Sequence, residues 1–270
     1  MRQETSVEVI RHNIERSMKH QSSKHQGNRS HGHRSHGQRY RCEATSIEAA
    51  VQLIAASYLR HGYYWYVTGC IPAGKSAANV DQKLVAKYGL DISEWQRTRR
   101  RKQGLANAHY LRHDRWFILL LTEGHHQLRS PASKGGEGEH LKDCRSVPIR
   151  IGSYSISYRR SGVALPRGGN VKWHAHVRLS ATAYAELKAY FDSIAVHRSV
   201  ENLTAEFAKI EFARYAPIRR QLLNVLRRVN ERRQQQSYQT LPHSVLNLRR
   251  VPVKVYVDSQ DDPATIPEEK

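Results

Sequence analysis

From Ser46 onward the chain switches between two hydrophobic periods. In SIEAAVQLIAASYLRHG, Ile47, Ala50, Val51, Ile54, Ala55 and Tyr58 recur at three- and four-residue spacing, which predicts a helix closed by Gly62. The aromatic and β-branched run YYWYVTG then predicts a strand. SAANVDQKLVAKYG gathers Val80, Leu84, Val85 and Tyr88 on one side of a second helix, and SEWQRTRRRKQG reads as a short basic helix. ANAHYLRH and RWFILLLTEG read as strands meeting at a turn near Asp114, with Phe117–Leu121 apolar enough to be central in a sheet. VPIRIGSYSISYRR and NVKWHAHVRLS predict one strand each, joined through SGVALPRGG. Helical periods return in ATAYAELKAYFDSIAVH, SVENLTAEFAKIEF and PIRRQLLNVLRRVNERR, before a strand-like VLNLRRVPVKVYV and an acidic end.

This order predicts an α+β fold, helices packed on a mainly antiparallel sheet, with a ferredoxin-like arrangement the nearest familiar plan. It divides the chain into a basic, His-rich arm over 1–43, an α+β core over 44–198, a basic helical extension over 199–238, and a short strand-like segment with an acidic tail over 239–270. The arm carries almost no apolar side chain between 19 and 41 and repeats RSHG, so disorder is expected there. YLRH occurs at 58–61 and again at 110–113, each before an aromatic strand. Two imperfect copies are read as coincidence.

Charge narrows the function. Lys and Arg number 44 against 24 Asp and Glu, a formal net charge of +20. An excess of this size points to nucleic acid, DNA or RNA, as partner, with other proteins of the same complex as further partners. No run has the length of a membrane-spanning helix and the N-terminus lacks a signal peptide's apolar core, so no membrane partner is expected. Three scattered cysteines (Cys42, Cys70, Cys144) without zinc-ligand spacing suggest reduced thiols and a cytoplasmic location.

TGCIPAGKS (68–76) contains G-x-x-x-x-G-K-S after a strand and before a helix, the context of a nucleotide phosphate loop. A P-loop NTPase also needs an apolar strand ending in a Mg²⁺-holding carboxylate, for which Glu123 is the best offer, and a parallel sheet. The later strands read as hairpins instead. The stretch is therefore expected to be a strand–loop–helix corner: Gly69 and Gly74 shape it, Pro72 stiffens it, Ser76 caps the helix, and Lys75 touches a phosphodiester. ATP or GTP is not expected.

In VKWHAHVRLS, Val171, Trp173, Ala175, Val177 and Leu179 alternate with Lys172, His174, His176 and Arg178, so both imidazoles lie on the open face. Two such imidazoles can hold one divalent metal. The His-Ala-His strand resembles the signature of the HUH endonucleases, the family of rolling-circle initiators, relaxases and tyrosine transposases. That resemblance implies metal-dependent nicking of single-stranded DNA, with Mg²⁺ or Mn²⁺ on His174 and His176 and a nucleophile from Tyr184 or Tyr190, Tyr215 standing third. A metal-free reading uses the neighbouring strand, where Ser153, Ser155, Ser157 and Arg159 share a face. Beside the histidines they form a hydroxyl, imidazole and guanidinium platform for nucleic acid, or for RNA cleavage with a histidine base.

Arg97, Arg99, Arg100, Arg101 and Lys102, and later Arg219, Arg220, Arg227, Arg228, Arg232 and Arg233, are read as further phosphate contacts, because forked guanidinium donors suit phosphate. Taken together, the residues ask least of a nucleic-acid-binding component of a mobile-element, replication or ribonucleoprotein complex. The nicking enzyme is the alternative.

Overall fold

The computed structural model describes residues 40–129, 141–161, 172–246, 248 and 253–257. The N-terminal arm to residue 39, the loop at 130–140, the connection over 162–171 and the acidic end lie outside them. The fold is α+β, with antiparallel sheets of four and three strands. The described residues divide into two compact units, 40–129 with 141 and 253–257, and 142–161 with 172–246 and 248. The expected boundary at 198 therefore falls inside the second unit.

In the first unit, helix α1 (Ile47–Gln52) starts at Ser46, whose side chain accepts from the Ala49 N–H. It continues as a wider turn over Leu53–Tyr58 and a tight turn over Leu59–His61. Strand β1 (Trp65–Cys70) leads through the 71–76 loop to α2 (Ala77–Tyr88) and α3 (Glu94–Lys102), then to β2 (Ala108–His113) and β3 (Trp116–Leu121). β3 is central, antiparallel to both β2 and β1. That central place accounts for the apolar run in β3: Ile118, Leu119, Leu120 and Leu121 are all buried, because both faces of the sheet are covered. The YLRH echo is coincidental in structure too, since 58–61 is helical and 110–113 is strand.

The apolar stripe expected for α2 is only half-buried, and its buried residue is Asp81. Asp81 accepts from the Tyr110 hydroxyl at 2.6 Å and from Arg112 Nε at 3.0 Å. Arg112 also pairs with Glu43 at 2.7 Å. A buried charge survives here because each partner answers the other.

The two-residue β4 (Lys142–Asp143) opens the second unit. After it comes a correction. The stretch read as one strand over 147–160 is a hairpin of β5 (Ile149–Ile151) and β6 (Tyr154–Arg160). Gly152, at φ 50°, supplies the left-handed turn residue that a two-residue connection needs. β6 is central and β7 (Trp173–Leu179) pairs antiparallel on its other side. Helices α4 (Ala181–Ile194), α5 (Val200–Ala208) and α6 (Ala216–Gln235) complete the unit. Tyr154, Ile156, Val177 and Leu179 meet a helical core that includes Leu187, Phe191, Phe207, Leu222 and Leu226. Gln221 on α6 takes the Leu179 N–H at 2.8 Å and donates back to the Leu179 carbonyl at 3.3 Å, closing that end of the edge strand. Neither element order extends the likeness to a ferredoxin-like plan.

Candidate nucleic-acid interface

The phosphate-loop stretch is built around a cation. The two-residue turn of the β2–β3 hairpin, with Asp114 at φ 51°, carries Arg115 beside the end of β1. Its guanidinium donates to the carbonyls of Ile71 (2.9 Å), Pro72 and Ala73 (2.9 Å), so oxygen atoms converge where a phosphate loop would present N–H groups. Gly69 lies in β1 opposite Phe117, whose ring crosses its Cα; a Cβ would stand 2.4 Å from Cζ. A Cβ on Gly74 would meet nothing within 4 Å. Ser76 is the cap residue of α2 but makes no side-chain capping bond, contrary to expectation. Glu123 accepts from the Trp65 indole at 2.8 Å and pairs with Arg129 at 3.2 Å. Lys75 is exposed on the loop.

Several predicted contact arginines are structural. Arg97 donates to the carbonyls of Leu90 (2.9 Å) and Ala108 (3.2 Å), and Arg100 to that of Ala106 (3.1 Å). Arg233 is buried and donates to the carbonyls of Ala195 (2.7 Å) and Arg198 (2.9 Å). These side chains spend their guanidinium donors on backbone oxygens at part-buried or buried positions. Arg228 pairs with Asp192 at 2.7 Å and Arg227 reaches Asn224 at 3.4 Å. Arg99, Arg101, Lys102, Lys172, Arg220 and Arg232 are exposed, and Arg219 is half-buried.

What the structure brings together is one face of β5–β7. The register sets Arg150 beside Ser155 beside Arg178, then Ser157 beside His176, then Arg159 beside His174. Neighbouring strands stand about 4.8 Å apart, so these rows touch. Ser155 and Ser157 are only 8% and 4% exposed, because they are short side chains in a central strand between long ones. Arg159 Nε donates to Ser157 Oγ at 2.9 Å. The result is a hydroxyl floor walled by guanidinium and imidazole groups. No Asp or Glu occurs anywhere from Cys144 to Ala185. Arg150 belongs to this face although the sequence pattern does not single it out.

The His174 and His176 ring centroids are 6.4 Å apart. His176 Nδ1 is buried without a hydrogen-bond partner. Burial first, then the charges of Arg159, Arg178, His174 and Arg220, push its pKa below the ordinary histidine value. Among the described residues no three His, Cys, Asp or Glu side chains group as metal ligands. Two imidazoles among guanidinium groups, with no carboxylate on the β5–β7 strands, suit an anion better than an oxygen-seeking cation such as Mg²⁺. Of the candidate nucleophiles, Tyr190 is engaged elsewhere. Tyr190 donates to Glu206 at 2.8 Å, and burial together with that carboxylate pushes its pKa up to about 12. Tyr184 lies with the Lys188 ammonium 4.7 Å from its ring centre. Tyr215 precedes α6 as its cap residue.

No helix among the described residues is long and apolar enough to cross a membrane. Comparison with protein-family models, curated proteins and solved structures finds no match to this chain.

Proposed function

We propose that the chain is a nucleic-acid-binding protein whose principal contact is the β5–β7 face. The observation that carries this reading is the acid-free row of Arg150, Arg159, His174, His176 and Arg178 over buried serines. Cations held this close repel one another, and a phosphodiester backbone relieves that repulsion while releasing counterions. Nicking asks for more: a metal on the imidazoles and a tyrosine hydroxyl free to attack. The engagement of Tyr190 with Glu206 withdraws one of the two nucleophiles that the nicking reading relies on, leaving Tyr184.

Fluorescence anisotropy with labelled oligonucleotides over a salt series tests it. Arg159→Ala and Arg178→Ala should each weaken binding and lower the salt slope, by about 0.7 for each phosphate of a single strand that is no longer neutralised. Wild-type affinity retained by both variants would sink the assignment of this face. Incubation of the wild type with single-stranded DNA and Mn²⁺ should leave the strand intact; cleavage that disappears in the His174→Ala/His176→Ala variant would restore the nicking reading.

A further inference from the structure

The first unit carries a surface that the β5–β7 face does not explain. Trp95 on α3 is 68% exposed, more than any other large hydrophobic side chain among the described residues. At 100° per residue, Trp95, Arg99 and Lys102 fall within one 60° sector of the helix, and Glu94 lies about a quarter turn away. The Arg99 guanidinium stands 5.7 Å from the Trp95 ring centre. The opposite side of the same helix is anchored. There Arg97 and Arg100 bond the carbonyls of Leu90, Ala108 and Ala106, and Asn107 Nδ2 donates to the Arg97 carbonyl at 2.9 Å. Ser93 and Gln96 cap the start reciprocally, Gln96 Oε1 accepting from the Ser93 N–H at 2.7 Å. A rigid helix thus holds an open indole beside two cations. That combination suits a flat, apolar ring attached to an anion.

We propose that Trp95 is a stacking platform for an unpaired nucleobase, with Arg99 and Lys102 taking the flanking phosphates. The ligand class is single-stranded nucleic acid, DNA or RNA, because a paired base does not offer its face. This deepens the nucleic-acid reading and rests on it. The indole supplies a sequence-tolerant contact, since every base has a π-face. The cations supply the salt-dependent part.

The test measures intact full-length protein with a labelled single strand, as DNA and as RNA, and with the corresponding duplex. Trp95→Ala removes a side chain that faces solvent, so its circular dichroism and Tm should match wild type. Its affinity for single strands should fall roughly five-fold to a hundred-fold, the range of one base stack removed, with the salt slope unchanged and duplex affinity untouched. Trp95→Phe should retain most of the affinity, while the part of the intrinsic tryptophan fluorescence quenched by the oligonucleotide disappears. Arg99→Ala should lower the salt slope by about 0.7. A Trp95→Ala protein that binds single strands like wild type, while a protein carrying Arg150→Glu, Arg159→Glu and Arg178→Glu does not, overturns the platform and leaves the sheet face standing. An equal loss on duplex and single strand also overturns it. A wild-type protein that binds neither overturns both readings.

Discussion

The 68–76 loop and the β5–β7 face invert each other. The loop has the spelling of a phosphate site, yet three of its carbonyl oxygens close on the Arg115 guanidinium, so its polarity is that of a cation cradle. The β-sheet face has no phosphate motif at all, yet its register packs arginine and histidine rows over serines with no acid within reach along the strands. A motif fixes residue types at a spacing; what binds an anion is the direction in which N–H groups and cations point. In the loop that direction is set by a residue from a separate hairpin.

The largest effect should separate the two regions outright. Reversing the sheet face, with Arg150→Glu, Arg159→Glu and Arg178→Glu together, should weaken nucleic-acid binding roughly a hundredfold or more at moderate salt. Lys75→Ala should change it little, because it removes a single charge from an exposed loop. Anisotropy titrations of both proteins make the comparison, and a larger loss from Lys75→Ala would reverse the roles of loop and sheet.

Next comes stability in the loop. Arg115→Met keeps the apolar stem but leaves the Ile71, Pro72 and Ala73 carbonyls without their common donor. The Ile71 carbonyl is only partly reached by water, so unfolding by urea should show a loss of about 1–2 kcal/mol. ATP should not shift the Tm of wild type or variant. A nucleotide-dependent rise in Tm would mean that the loop rearranges to offer N–H groups after all.

Much of the sheet face is legible in the sequence, and the parts that are not have identifiable reasons. The alternation from Trp173 to Leu179 places His174, His176 and Arg178 on one face, and the SYSISYR run places Ser155, Ser157 and Arg159 beside them. Arg150 escapes because the Gly152 turn is buried in a continuous strand-like run, which hides a whole strand. Arginine runs read as surface because periodicity reports hydrophobic stripes only. Nothing in it marks Arg97, Arg100 or Arg233 as donors to backbone carbonyls, since those acceptors come from other elements. Asp81 is invisible for the same reason: its partners Tyr110 and Arg112 are tertiary. Trp95 carries the one usable signal, an aromatic residue at helical spacing from two exposed cations.

Proton linkage gives a smaller, signed effect on the sheet face. Burial and the surrounding cations depress the pKa of His176. A bound phosphate cancels part of that field and raises the pKa in the complex, so binding takes up protons. Affinity should therefore rise as pH falls through the bound-state pKa and level off below the free-state value, by less than tenfold per pH unit. Folding stability runs the other way: it is complete above the unfolded histidine pKa of about 6.5 and declines as pH falls below it. Titrations at constant ionic strength should show the slope in wild type and a flatter one in His176→Gln; parallel slopes would place the titrating group elsewhere.

The smallest effect is the sharpest about the loop. In a phosphate loop the first glycine keeps backbone open to a ligand; here Gly69 makes room for a ring. Adding a Cβ brings it to 2.4 Å from Phe117 Cζ and 2.8 Å from Cε1. Phe117 is half-buried and meets the new atom with its movable end, so the ring can swing aside at modest cost. Alanine also restricts the unfolded chain, which offsets part of that cost. Gly69→Ala should therefore lose less than about 1 kcal/mol. In a Phe117→Ala background the obstacle is gone and the same change should be neutral or slightly stabilising. The two residues should thus couple by about 1 kcal/mol in a double-mutant cycle read by urea unfolding. Additive substitutions, together with a drop in nucleic-acid affinity for Gly69→Ala alone, would show that the glycine serves a ligand rather than an aromatic neighbour.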